Sequence, residues 1–192
     1  MKIFEITTAT DEHDTLKLKN RDTVEHIFES FGEGISLKEG WPLIELYLFK
    51  KRKKCDMPNF YSEVLVMNTH AVEVLGDLMQ GSVEYLPVIF DGTRYKDLQI
   101  VNILNILDAV DYEKSECFYD DEETKRVGYV KRYAFYPEKV KDHHIFKVIT
   151  GNHIDPSIFV SQTFLDHLNN SDLKGYMWRE VWDSETGPAE IH

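Results

Sequence analysis

Apolar residues in this chain come in short runs, and each run closes on Gly, Pro, Asn, Asp or a cluster of charge. In residues 2–8, Ile3, Phe4 and Ile6 with β-branched Thr7 and Thr8 predict a strand. Residues 9–21 are polar and read as a loop. Asp22 and Thr23 stand where a helix cap belongs, because Val24, Ile27, Phe28 and Phe31 follow at the spacing of one helix face. Gly32 and Gly34 would end that helix. Residues 43–49 predict a mostly apolar strand, followed by the basic run Lys50-Lys51-Arg52-Lys53-Lys54, with Pro58 beyond.

Residues 63–67 read as a strand and Asn68 as an N-cap, with Ala71, Val72, Leu75, Leu78 and Met79 on one face of the helix that follows and Gly81 at its end. Residues 83–90 predict a strand, and Asp91-Gly92 is a tight-turn signal. Residues 98–107, dense in Ile, Leu and Val and interrupted by Asn102 and Asn105, read as a strand because the apolar residues are largely β-branched. Residues 111–126 are highly polar. Residues 127–136 alternate as a strand that Pro137 stops. Further strands fall at 145–149, closed by Gly151, and at 157–160. Ser161 then caps a short helix marked by Phe164, Leu165 and Leu168, and 176–182 is the last strand.

Strands outnumber helices, so the expected fold class is α+β, a single strand-rich domain over residues 1–182 with two or three short helices. Residues 183–192 form a polar tail with Gly187-Pro188 and should be frayed. Two strand-helix-strand pieces look alike at an offset of 93 residues: Asn68, Ala71, Val72, Leu75, Val83 and Tyr85 match Ser161, Phe164, Leu165, Leu168, Tyr176 and Trp178. Any two capped pieces of equal length would share that pattern, so it does not by itself establish a repeat.

The 192 residues carry 34 acids and 22 bases, a net charge of −12. Such a surface repels phosphate backbones and anionic head groups, so neither nucleic acid nor membrane is an expected partner. It suits a cationic partner, or simply solubility. The start of the chain, Met1 to Ile6, lacks the apolar stretch of a secretion signal, and no run nears the ~18 apolar residues of a membrane helix. Cys55 and Cys117 are too few for a disulfide framework. The expected location is the reducing cytoplasm, with both thiols free.

Signatures of catalysis are missing. There is no Gly-x-Ser-x-Gly elbow, no Walker loop and no His-Glu-x-x-His, and Gly32-Glu33-Gly34 lacks the third glycine of a dinucleotide fingerprint. His143 and His144 are neighbours, which in a strand point to opposite faces and do not converge on one metal. Cys55 follows the basic run, which would make it reactive if those charges lowered its thiol pKa; a free structural cysteine is the plainer reading. Without the run, 17 bases face 34 acids, so five lysines and arginines read as a solvated loop or an edge protector after the 43–49 strand rather than a nucleic-acid patch. Asp108 and Asp111 offer paired carboxylates, but turn or cap duty is the simpler role. The acidic run Asp120-Asp121-Glu122-Glu123 lacks the spacing of a calcium loop. It is either a solvated loop or, flanked by Phe118 and Tyr119, a mobile acidic arm that docks a basic protein.

The segment LPVIFDGTRYKDLQIVNILNILDAVDYEKS, residues 86–115, resembles the core of an immunity-protein family of bacterial polymorphic toxin systems, the eleventh immunity class, formerly a domain of unknown function. Its Asp-x-x-x-Ser step falls at Asp111 and Ser115. A second similar stretch runs from His144-Ile145-Phe146 through Ile158-Phe159-Val160-Ser161, Phe164 and Gly175 to Trp178 and Trp182, and the piece at 63–79 also fits. The resemblance covers about residues 40–182; the basic run 50–54 is not part of it. It implies a cytoplasmic protein that binds and neutralises a cognate toxin, with no cofactor, no metal and no catalytic residues. The rival readings are a small metal-dependent hydrolase using Asp108, Asp111 and the acids at 120–123, and an adaptor module with no toxin partner. The contact residues expected on the toxin reading are Phe118, Tyr119, Asp120, Asp121, Glu122 and Glu123.

Overall fold

A computed structural model describes residues 1–9, 11–19, 31–61, 63–121, 123 and 126–190. The helix expected at 24–31, with its cap at Asp22 and Thr23, lies outside the described residues except for Phe31. The largest sheet is built on β1 (Lys2–Thr8), the strand read from Ile3, Phe4 and Ile6. Its alternation explains its place: Ile3 faces one apolar cluster, Phe4 and Ile6 another, so both faces of the strand are covered.

Three strands of the chain's first half pair as β2 (Thr15–Leu18), β3 (Glu45–Lys50) and the short β6 (Ile89–Phe90). A second three-stranded sheet has the order β4 (Leu65–Met67), β7 (Gln99–Ile103), β5 (Val83–Pro87), with α1 (Thr69–Met79) joining β4 to β5. The main sheet adds β8 (Ile106–Leu107), β11 (Ile145–Thr150), β12 (His153–Ile154), β13 (Ile158–Ser161), β14 (Tyr176–Asp183) and β15 (Gly187–Pro188), in the order β12-β11-β13-β1-β14-β15 with β8 parallel on β11. A separate hairpin joins β9 (Glu116–Asp121) and β10 (Arg126–Arg132). Two more helices, α2 (Pro137–Val140) and α3 (Gln162–Asn169), complete the described elements. The chain is thus strand-rich with three helices among the described residues, in agreement with an α+β class.

The two strand-helix-strand pieces are alike in register as well as in pattern. In the first, β7 lies antiparallel between β4 and β5; in the second, β1 lies antiparallel between β13 and β14. Val101 faces Leu65 and Tyr85, while Ile6 faces Ile158 and Trp178, the same two positions shifted by 93. Ile100 and Glu5, and Gln99 and Phe4, obey the same rule. Asn68 and Ser161 both cap as read: their side chains accept from the amides of Ala71 and Phe164. The helices meet across one core containing Ala71, Leu75, Met79, Phe164, Leu165 and Leu168. There His167 Nε2 lies 3.0 Å from the Val74 carbonyl, a contact between positions themselves 93 apart.

Several elements differ from the sequence reading. The loop expected at 9–21 contains β2, whose Leu16 and Leu18 are buried while its polar residues hid the alternation. The strand expected at 83–90 divides into β5 and β6 in different sheets, because the Val88 amide still donates to the Leu98 carbonyl while the Ile89 amide turns to the Ile44 carbonyl. Asp91-Gly92 accordingly begins a wide connection rather than a tight hairpin. The strand expected at 98–107 divides into β7 and β8, because the Leu104 and Asn105 amides both turn to the Ser82 carbonyl. Pro137 opens α2 rather than only ending a strand, as proline at a first helical turn can. The segment after Trp182 is not frayed over its described part: Gly187 and Pro188 pair with Asp183 and Trp182, and Arg132 donates to the carbonyls of Pro188 and Ala189, both at 2.9 Å.

Candidate functional site

Within the polar segment 111–126, which carries the residues singled out for partner contact, Glu116–Asp121 form β9. The segment starts at the Asp111–Ser115 step. The Ser115 amide donates to the Asp111 carbonyl at 2.9 Å, the Asp111 carboxylate accepts from the Glu113 amide at 3.2 Å, and Ser115 Oγ accepts from the Ala134 amide at 2.9 Å. That turn fixes the foot of β9 beside the end of β10. The hairpin's inner face is then seated by burial: Cys117, Val127 and Val130 join Tyr133, Phe135, Phe159 and Trp182 in one cluster. Tyr133 carries its hydroxyl to Asp155 at 2.5 Å, and burial raises its pKa.

The outer face is different. Along β9, exposed and half-buried residues alternate, so Glu116, Phe118 and Asp120 face away from the core while Cys117, Tyr119 and Asp121 turn toward it. Across the hairpin Tyr129 stacks on Phe118 with centroids 5.1 Å apart and an interplanar angle of 16°. Both rings are 53% exposed, an uncommon position for two adjacent aromatics. A side chain at Gly128 would meet the exposed Asp120 carboxylate, which would have to swing aside.

The acids are less free than their run suggests. Glu116 receives Lys131 Nζ at 2.6 Å and lies 3.9 Å from Arg132, and the Lys131 hydrogen bond holds its carboxyl below the usual range. Asp120 lies 3.8 Å from Arg126, and Asp121 accepts the Glu123 amide at 2.9 Å. Glu122 lies outside the described residues. Of the six expected contact residues, the fold therefore presents Phe118 and Asp120 outward, turns Tyr119 and Asp121 inward, and adds Tyr129. Among the described residues, Glu116–Asp121 pair with Arg126–Arg132 in a hairpin whose outer face carries the Phe118–Tyr129 stack. Tyr129 was legible in principle, since it lies at an outward position of the alternating run 127–136.

The other sequence candidates go elsewhere. Asp111 is buried and works as a turn residue with Lys114 at 2.9 Å; Asp108 is exposed and 3.9 Å from Lys139. Among the described residues no three His, Cys, Asp or Glu side chains come together in a way that could hold a metal ion. His143 lies 3.1 Å from the Asn105 amide and His144 2.9 Å from Ser161, so the pair serves two separate contacts. Cys55 is buried beside the Tyr95 hydroxyl, and burial pushes its thiol up to about 11, which overturns a reactive role. Both cysteines are free. The basic run is partly structural: the Arg52 amide donates to buried Asp14 at 2.6 Å, and the Lys53 amide to Glu12.

The chain matches the model of the Immunity protein family (Imm11) over residues 8–183 and belongs to that family. The match also takes in β2, which lies before the 40–182 range of the resemblance. No curated protein matches the chain significantly. Among the described residues no helix is long and apolar enough to cross a membrane.

Proposed function

We propose that this protein neutralises a cognate polymorphic toxin in the cytoplasm by direct binding, without catalysis of its own, and that the outer face of the β9–β10 hairpin is part of the contact surface. The family match across 8–183 is the observation that carries this reading. The stacked, exposed Phe118 and Tyr129 support the choice of surface. Rigid aromatics ringed by charge supply contact area at low entropic cost and are enriched among residues that dominate binding energy. Asp120 at their side and a net charge of −12 favour a basic partner. The hairpin's own Arg126, Lys131 and Arg132 offset its acids locally, so the rings supply affinity and the charge of the molecule supplies steering.

The test is co-purification with the toxin encoded beside this gene, followed by binding kinetics at two salt concentrations. Association should slow as salt rises while dissociation changes less. Replacing Asp120, Asp121, Glu122 and Glu123 by Ser should lower the association rate about tenfold, within what steering can supply. Equal association rates of parent and variant at low salt would place the contact elsewhere.

A further inference from the structure

A cavity of about 950 Å³ opens between the first-half strands and the end of the main sheet. Its floor holds Lys147, the one charged residue in the otherwise apolar run of β11. On that strand Ile145, Lys147 and Ile149 share a face. Ile145 lies in the helix-backed core, while Lys147 and Ile149 reach past it to line the cavity. Lys147 is only 4% exposed. Among the described residues its ammonium has no hydrogen bond and no ion pair, although Glu63 and Asp155 act on it at longer range. Burial pushes its pKa below the usual lysine range, and those two carboxylates oppose the shift. Gly32 leaves room for it: a side chain there would come within 2.9 Å of Nζ.

A buried cation without a partner is expensive, and such groups persist where a ligand or mechanism uses them. Around Lys147 the lining combines the apolar side chains of Leu18, Phe31, Val64, Ile149 and Ile154 with polar Tyr61, Asn152 and His153, and the exposed carboxylates of Glu33 and Glu63 also line the cavity. Acids in the lining disfavour small, fully hydrated anions. A buried ammonium beside a cluster of apolar side chains favours an anion attached to a hydrocarbon body. The volume lies within the range of roughly 300–1,000 Å³ usual for small-molecule sites. We propose that this cavity binds an apolar carboxylic acid, with the carboxylate paired to Lys147 Nζ on the floor and the hydrocarbon body against Phe31, Val64, Ile149 and Ile154.

Isothermal titration calorimetry of the full chain tests this with octanoate, decanoate, decyltrimethylammonium and inorganic phosphate. Decanoate should bind, and more tightly than octanoate, by about threefold to fourfold per methylene while the chain fits. The ammonium amphiphile and phosphate should each bind at least tenfold more weakly than decanoate. Lys147→Met removes the charge with an unbranched side chain one atom shorter; it should weaken decanoate at least tenfold and raise the melting temperature of the free protein. Decanoate that does not bind, or binds no better than the ammonium amphiphile or phosphate, overturns the proposal. So does a folded Lys147→Met that binds decanoate as the parent does. If that variant fails to fold, the head-group series on the parent protein decides alone.

Discussion

Asp14 shows how a single residue can be decisive and still be invisible in the sequence. Its carboxylate is fully buried and accepts from Arg94, from the Arg52 amide at 2.6 Å and from the Tyr95 hydroxyl at 2.8 Å. Burial alone would push the carboxyl up, but those hydrogen bonds together outweigh it and leave the pKa below the usual range. A carboxyl depressed on folding adds stability above its unfolded value of about 3.9, and that stability is lost as pH falls through the folded value. Asp14→Asn should therefore remove part of the acid dependence of urea midpoints below about pH 4. Arg94→Met leaves the buried carboxylate on the Arg52 amide and the Tyr95 hydroxyl without its countercharge, and should cost about 3–5 kcal/mol at neutral pH in the same assay. The partners stand 80 residues apart, and nothing in the local polar stretch 9–21 points to them. Cys55 belongs to the same network. With a thiol pKa of about 11, a thiol reagent at pH 8 should label Cys117 first and reach Cys55 only when the protein unfolds.

Elements were legible where burial alone dictated composition and obscure where two demands met. The strands through Ile3 to Ile6, Leu65 to Met67 and Ile158 to Val160 read directly, because both faces are buried and the sequence is apolar. β9 was hidden because its outer face sets Phe118 between Glu116 and Asp120 and its inner face holds Cys117, Tyr119 and Asp121, so no hydropathy alternation marks it. The break between β7 and β8 was hidden because Leu104 and Asn105 differ from their neighbours only in where their amides turn. At this scale the hairpin separates stability from binding. Phe118→Ala and Tyr129→Ala remove exposed ring area, so each should change the unfolding free energy by less than about 1 kcal/mol. Each should weaken partner binding at least tenfold, read by calorimetry, as truncation of an aromatic anchor does. A large loss of stability with unchanged binding would make the stack a structural clasp.

Across the whole molecule, the repeated register ties the fold together. Positions 65–67 and 83–87 reappear at 158–160 and 176–180, each pair around a middle strand drawn from a different part of the chain, β7 after its piece and β1 before its own. The offset of 93 was visible in the sequence, and so were β1 and β7 as strands; their place between the flanking strands was not, because hydropathy does not say which strands pair. If the two pieces are energetically as well as geometrically alike, Asn68→Ala and Ser161→Ala should each cost about 1 kcal/mol by denaturant unfolding. A cost at only one cap would show that the likeness stops at geometry.

The most direct measurement is growth of bacteria that express the neighbouring toxin domain together with this chain. The parent should restore growth and co-purify with the toxin. Phe118→Ala combined with Tyr129→Ala, folded and expressed at the same level, should bind at least tenfold more weakly and protect less. Toxin that still kills in the presence of abundant folded parent protein, with no complex recovered, would contradict neutralisation by direct binding.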